Sequence, residues 1–241
     1  MEIIFIIGLL LVAYLYASVG HGGASGYLAL MAFMGILPDV MKTSALVLNL
    51  FVSFIAFAVF LRSGFFRWKL LLPFVCASVP LSFIGSRLDI SPELYRQILG
   101  VCLLLATLKM LVPQKDATQT SSPNLSISLI TGASIGLISG MIGIGGGIIL
   151  SPILILTKWA SIKESACASA AFIFLNSAAG LFGIYTTHKL SLDPHIYGWI
   201  AAALVGGMAG SYFGANKISS NALRYFLSGV LVLASVKLLF H

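Results

Sequence analysis

The chain has 241 residues, of which 59% are hydrophobic and only 9% charged, whereas an ordinary soluble domain is roughly 45–50% apolar and about 25% charged. So few charges cannot coat a water-soluble surface, and most apolar blocks approach the ~20 helical residues needed to cross a hydrocarbon core of about 30 Å. The formal charge of +7 comes from fourteen Lys and Arg scattered between apolar blocks, which reads as topology signalling and argues against a nucleic-acid face. Cys76, Cys102 and Cys167 lie inside apolar segments with no CxxC spacing, so neither a disulfide framework nor a zinc site is indicated.

In chain order, the first run follows Met-Glu-Ile-Ile-Phe with no preceding Lys or Arg, and is expected to be a mature helix rather than a cleaved signal peptide. Apolar blocks follow at 3–19, 24–37, 43–61, 70–86 and 94–112, then at 125–142, 147–157, 165–186, 197–215 and 222–240. Between the two sets lies Pro113 to Asn124, polar and closed by Pro123, with the composition of an aqueous linker. The expected organisation is a transmembrane repeat at 1–112, a linker at 113–124 and a second repeat at 125–241.

The two halves echo each other. Ser82-Phe83-Ile84-Gly85 lies over Ser211-Tyr212-Phe213-Gly214 at a shift of 129 (211 − 82), and Trp68 pairs with Trp199 at 131. Asn49 pairs with Asn176 at 127, and Gly20-His21-Gly22-Gly23 with Gly143-Ile144-Gly145-Gly146 at 123. The same landmarks in the same order indicate duplication. Five blocks per half is an odd number, so the second copy must enter from the opposite side. The expected fold class is therefore all-α, a polytopic membrane protein of two inverted-topology repeats, each of about five helical segments with the first two short or broken around a glycine-rich turn. Alternating the connections puts nine Lys and Arg on one side, namely Arg62, Arg67, Lys69, Lys109, Lys115, Lys158, Lys163, Lys217 and Arg224. That side is expected to be cytoplasmic, with both termini outside.

Blocks 24–37 and 147–157 are too short to cross, and a glycine cluster precedes each: Gly20 to Gly26 in the first copy, Gly140 to Gly147 in the second. Glycine lets the backbone leave helical geometry, and at hydrocarbon depth such backbone survives only where protein or a water-filled cavity satisfies it. A helix that restarts after the break points free N–H groups and its positive dipole end into the break, which suits an anion. By contrast, the series Gly132, Gly136, Gly140 and Gly206, Gly210, Gly214 read as helix-packing grooves. Polar residues within apolar blocks are costly, which singles out Asn49 and Asn176, with Thr43, Ser44 and Ser169 on the same blocks. His21 lies in the first turn opposite Ile144, where it could serve as a protonatable coupling group; His188, His195 and His241 fall in connections or at the terminus.

The stretch Gly143-Ile144-Gly145-Gly146-Gly147-Ile148-Ile149-Leu150-Ser151-Pro152, the Ser169-to-Asn176 block and the weaker first-half echo Gly20-His21-Gly22-Gly23 make the chain resemble the sulfite exporter TauE/SafE family over essentially its whole length. The resemblance implies export of sulfur-containing anions, such as sulfite or small organosulfonates, by secondary transport across the cytoplasmic membrane. No GxxxxGK[ST] loop signals ATP hydrolysis. The substrate-binding candidates are Gly20, His21, Gly22, Gly23, Ser25, Ser44, Asn49, Gly143, Gly145, Gly146, Gly147, Ser169 and Asn176. Expected partners are the anion, a coupling proton or sodium ion, the lipid bilayer and a second copy in a homodimer. No cofactor, metal or nucleic acid is expected, and no enzymatic activity. Two alternatives stay open: a passive anion channel on the same scaffold, and an intramembrane serine protease, because Gly23-Ala24-Ser25-Gly26 matches a GxSG pattern.

Overall fold

A computed structural model of the chain describes residues 2–111, 120–216, 232–233 and 235–239. The described elements are helices: α1 (Glu2–Ala17), α2 (Ala24–Phe33), α3 (Pro38–Arg62), α4 (Trp68–Arg87), α5 (Pro92–Leu111), α6 (Leu125–Ile142), α7 (Gly147–Leu156), α8 (Ile162–Thr186) and α9 (Ile196–Asn216). The fold is all-α, as the block pattern leads one to expect. Most of the expected block 222–240, and linker residues 113–119, lie outside the described residues, as do Lys115, Lys217, Arg224 and His241.

Five helices, α3, α4, α6, α8 and α9, are long and apolar enough to cross a membrane; α1, α2 and α7 are shorter apolar helices. Their outward faces carry Ile3, Ile4, Phe54, Leu72, Ile130 and Val205, all exposed. Trp68 and Tyr197, 67% and 82% exposed, stand at helix starts, where amphipathic rings favour the membrane–water boundary.

Local chemistry sets the helix boundaries. Pro38 opens α3, where its missing N–H costs nothing. Asn124 caps α6 by accepting from the Ile127 N–H at 3.1 Å, and Ser161 with Glu164 forms a capping box at the start of α8. The Arg67 guanidinium donates to the Thr120 hydroxyl, the Trp159 carbonyl and the Glu164 carboxylate, each at 3.3 Å. This gathers the α3–α4 connection, the end of the linker and the α7–α8 connection at one end of the molecule.

The halves interlock, since the most extensive helix pairs, α4 with α6, α1 with α9 and α3 with α8, each take one member from each half. The two glycine series are the reason for the first two pairs. A Cβ at Gly132, Gly136 or Gly140 would lie 2.1–2.4 Å from the carbonyl oxygens of Phe74, Ser78 and Ser82 in turn, so α6 runs parallel to α4 at backbone contact. Gly206, Gly210 and Gly214 meet the carbonyls of Leu10 and Tyr14 on α1 and of Ser18 just after it in the same way. Small residues permit this approach, and dispersion between close backbones holds helices together where hydrocarbon surrounds them.

The central pair runs the other way: Leu46 packs on Gly180 and the Phe54 ring lies 5.5 Å from Phe174, so α3 and α8 are antiparallel. Their bounds match at a shift of 124 (162 − 38 and 186 − 62). Two backbone contacts give the same register. A Cβ at Gly20 would strike the Ala166 backbone and one at Gly143 the Lys42 backbone, and Ala166 and Lys42 are themselves 124 apart. The asparagine pairing at 127 is thus off register. Asn49 corresponds to Ile173 and Asn176 to Val52, because the small indels that shift the sequence alignment fall outside these two helices.

The glycine contacts lead to a stability expectation. Gly136→Val should drive α6 from α4 and destabilise the protein by about 2 kcal/mol or more, read as a lower thermal midpoint in detergent. Gly198→Ala, with nothing within 4 Å of the added methyl, should leave that midpoint nearly unchanged.

Candidate functional site

Each short helix begins at a glycine in left-handed conformation, α2 at Gly23 (φ 96°) and α7 at Gly146 (φ 77°), and neither start has a side-chain cap. A residue with a Cβ would be strained at these angles. At about 1.5 Å per residue each short helix reaches only about 15 Å. The turns that precede them are therefore sunk between the long helices, and their uncapped starts keep N–H groups directed into the protein.

The neighbours of the turns fix their depth. A Cβ at Gly22 would lie 2.5 Å from Asn49 Oδ1 and 3.0 Å from Ile173 Cγ2; one at Gly145 would lie 2.7 Å from Asn49 Nδ2 and 2.8 Å from the same Ile173 methyl. Both turns therefore close on one pair of side chains from opposite halves. Asn49 and Ile173 each lie eleven residues (49 − 38 and 173 − 162) into their 25-residue helices, near mid-span. Asn49 is fully buried, and neither its Nδ2 nor its Oδ1 has a hydrogen-bond partner. The Ser177 hydroxyl, likewise buried and without a partner, is 3.4 Å from the Cβ position of Gly145.

His21 extends the site sideways. Its Nε2 is 2.9 Å from the Ser151 hydroxyl on α7, which is 2.7 Å from the Ser169 hydroxyl on α8 and also donates to the Gly147 carbonyl at 3.0 Å. On the other flank Ser25 donates to the Tyr16 phenol at 2.6 Å. Between them lies a cavity of about 10 Å³ lined by Tyr16, His21, Ser25, Ile148 and Ile173 with the first-turn backbone. It has room for about one water.

Over residues 4–238 the chain matches the family described as Sulfite exporter TauE/SafE. It belongs to that family. A probable membrane transporter protein, y4hK of Sinorhizobium fredii, is 35% identical over 97% of this chain and 96% of its own length. Another, MJ0441 of Methanocaldococcus jannaschii, is 26% identical over 68% of this chain and 66% of its own. No solved structure gives a significant match. With five candidate spans, this TauE/SafE protein is a multi-pass membrane protein of a transporter family.

Within the TauE/SafE chain the candidates named from sequence divide by position. Gly22, Gly23, Gly145, Gly146 and Asn49 meet at the crossing of α3 and α8, with Gly147 against the Ile173 side chain. His21 and Ser169 join through Ser151. Ser25 flanks the cavity, while Gly20 and Gly143 press on the backbone of the opposite half's long helix. Ser44 is buried on α3 with no hydroxyl partner. Asn176 faces α4, where its Nδ2 donates to the Ser78 hydroxyl at 3.1 Å and to the Phe172 carbonyl at 2.8 Å. Thr43 is spent on its own helix, donating to the Asp39 carbonyl.

The contrast between the two asparagines lies in what faces them. The counterpart of Ser78 at the shift of 129 is Gly207, which faces Val52, so no hydroxyl faces that position and Asn49 sits one turn away. Sequence reasoning missed Ser151, Ser177, Ile173 and Tyr16. Ser151 stood in the quoted motif, one turn after Gly147, and that spacing was its available signal.

These partners separate the two residues experimentally. Asn176→Leu removes the donor to Ser78 and should cost about 1–3 kcal/mol of stability. Asn49→Leu leaves no partner behind and should be neutral or stabilising. Thermal unfolding in detergent without added anion makes the comparison.

Proposed function

We propose that this protein is a secondary transporter that exports small sulfur-containing anions, such as sulfite or organosulfonates, across the cytoplasmic membrane. The anion sits at mid-depth between the two glycine turns. The observation that carries this reading is Asn49, a fully buried amide with no partner, wedged between Gly22 and Gly145. A buried polar group left unsatisfied costs about 1–3 kcal/mol, and such groups at membrane depth mark substrate pathways. Asn49 Nδ2, the Ser177 hydroxyl and the N–H groups at the starts of α2 and α7 are donors without a fixed negative charge beside them. That set favours an oxyanion and, lacking a Lys or Arg clamp, favours its release.

The antiparallel run of α3 and α8 and the exchange of contacts between halves support an inverted repeat, the architecture in which substrate binds where broken helices face each other. Because the cavity holds only about one water, a sulfite-sized anion must open the site to enter it. Such closure favours a carrier that alternates over an open channel. The basic end that carries Arg62, Arg67, Lys158 and Lys163 faces the cytoplasm in this reading. Coupling is to a proton or sodium ion, and a homodimer is compatible with the apolar outer faces.

A thermal-shift screen against sulfite, sulfate, thiosulfate, sulfoacetate, taurine and simple carboxylates should show stabilisation by the sulfur oxyanions. Asn49→Leu should weaken that binding at least tenfold, about 1.4 kcal/mol, while retaining the fold. Stabilisation only by cations or neutral solutes would refute the assignment.

A further inference from the structure

We infer that a proton binds together with the anion, on His21, so that the loaded site is electrically neutral. The inference rests on the anion reading above and adds a second, chemically distinct ligand to it. An anion taken out of water into a mid-membrane cavity keeps its full charge. Helix starts supply only partial positive charge, and a buried charge without a neutralising partner is unfavourable. Among the described residues that line the cavity, His21 is the one side chain that can become a cation near neutral pH.

The surroundings of His21 suit both of its charge states. When the imidazole is neutral with a lone pair on Nε2, the Ser151 hydroxyl donates to it. When Nε2 carries a proton, Ser151 accepts from it and turns its own hydrogen to the Gly147 carbonyl or to Ser169, all within 2.7–3.0 Å. Rotating one hydroxyl therefore keeps Nε2 hydrogen-bonded in both charge states. The balance is simple: neutral imidazole, one solvent proton and one monoanion combine to give imidazolium and anion side by side, and both depart on release.

Among the described residues, the groups packed around the first turn are uncharged near neutrality. From α1 comes Tyr16, whose carbonyl accepts the His21 N–H and whose ring stands edge-on at 6.3 Å. From α2 come Ser25 and Tyr27, from α3 Asn49 by way of Gly22, from α7 Ser151, and from α8 Ser165 and Ser169. Phenols stay uncharged near neutrality. Cys167 on α8 packs with Phe60 and Ala215 in a separate cluster. Asp39, Arg62, Lys163 and Glu164 lie in the end turns of α3 and α8, and Lys42, a little further in, directs its ammonium to the Ser86 carbonyl on α4 at 2.9 Å.

The test is isothermal titration of the purified full chain with methanesulfonate, a monoanion that does not itself titrate between pH 6 and 8.5, in two buffers of different ionisation enthalpy. About one proton should be taken up per anion above pH 7, and affinity should fall by about tenfold per pH unit there. His21→Gln should bind methanesulfonate at pH 6 more weakly than the wild type does, with an affinity that no longer changes with pH, and should lose the proton uptake. Wild-type binding with no proton uptake, or an undiminished slope in His21→Gln, overturns the inference and leaves the anion reading standing. Failure of the wild type to bind methanesulfonate, sulfite and the other oxyanions of the screen alike removes both.

Discussion

Backbone that stops being helical inside a membrane must find hydrogen-bond partners within the protein, and the architecture here follows from that requirement. The two glycine turns break the chain at the level of Asn49 and Ile173, near the middle of the two longest helices. Each turn is shielded from lipid by the opposite half: Gly20 lies on the backbone of α8 and Gly143 on the backbone of α3. Neither half could bury its own break in this way. The interlocking of the halves is thus a condition for burying both turns, and the glycine-on-carbonyl contacts of α4 with α6 and α1 with α9 are what allow the helices to close around them.

The two halves contribute chemically different groups to the crossing. Asn49 stands opposite Ile173, His21 opposite Ile144, and Ser151 is matched by Leu28 at the shift of the turns. The polar groups of the site are therefore drawn unevenly: the first half supplies the free amide and the imidazole, the second half the hydroxyls of Ser151, Ser169 and Ser177 that reach toward them.

Much of this was legible in the sequence for a simple reason: glycine clusters and interrupted apolar blocks are strong local signals. Blocks 24–37 and 147–157 appear as α2, Ala24–Phe33, and α7, Gly147–Leu156, each starting directly after a left-handed glycine, Gly23 or Gly146. The separation of packing glycines from turn glycines was readable as well, since Gly132, Gly136 and Gly140 repeat at four-residue spacing and the turns do not. What the sequence concealed was register. An ungapped match near Ser82 and Ser211 invites carrying a similar shift back to the asparagines, yet the bounds of α3 and α8 match at 124, and Asn176 lies against Ser78 instead of at the crossing. Helices that are apolar on all sides carry no amphipathic stripe to show which face meets which neighbour, so the neighbours of Ser177 and Tyr16 were not legible in the sequence.

The central claim concerns location, and it is tested most directly by an anomalous-scattering structure of the protein with selenite, a heavier oxyanion of sulfite's shape. The account predicts a single strong anomalous peak at the crossing of α3 and α8, within hydrogen-bond distance of Asn49 Nδ2 and flanked by Gly22 and Gly145. A peak confined to the headgroup-level loops, with the two turns still closed on Asn49 and Ile173, would contradict it.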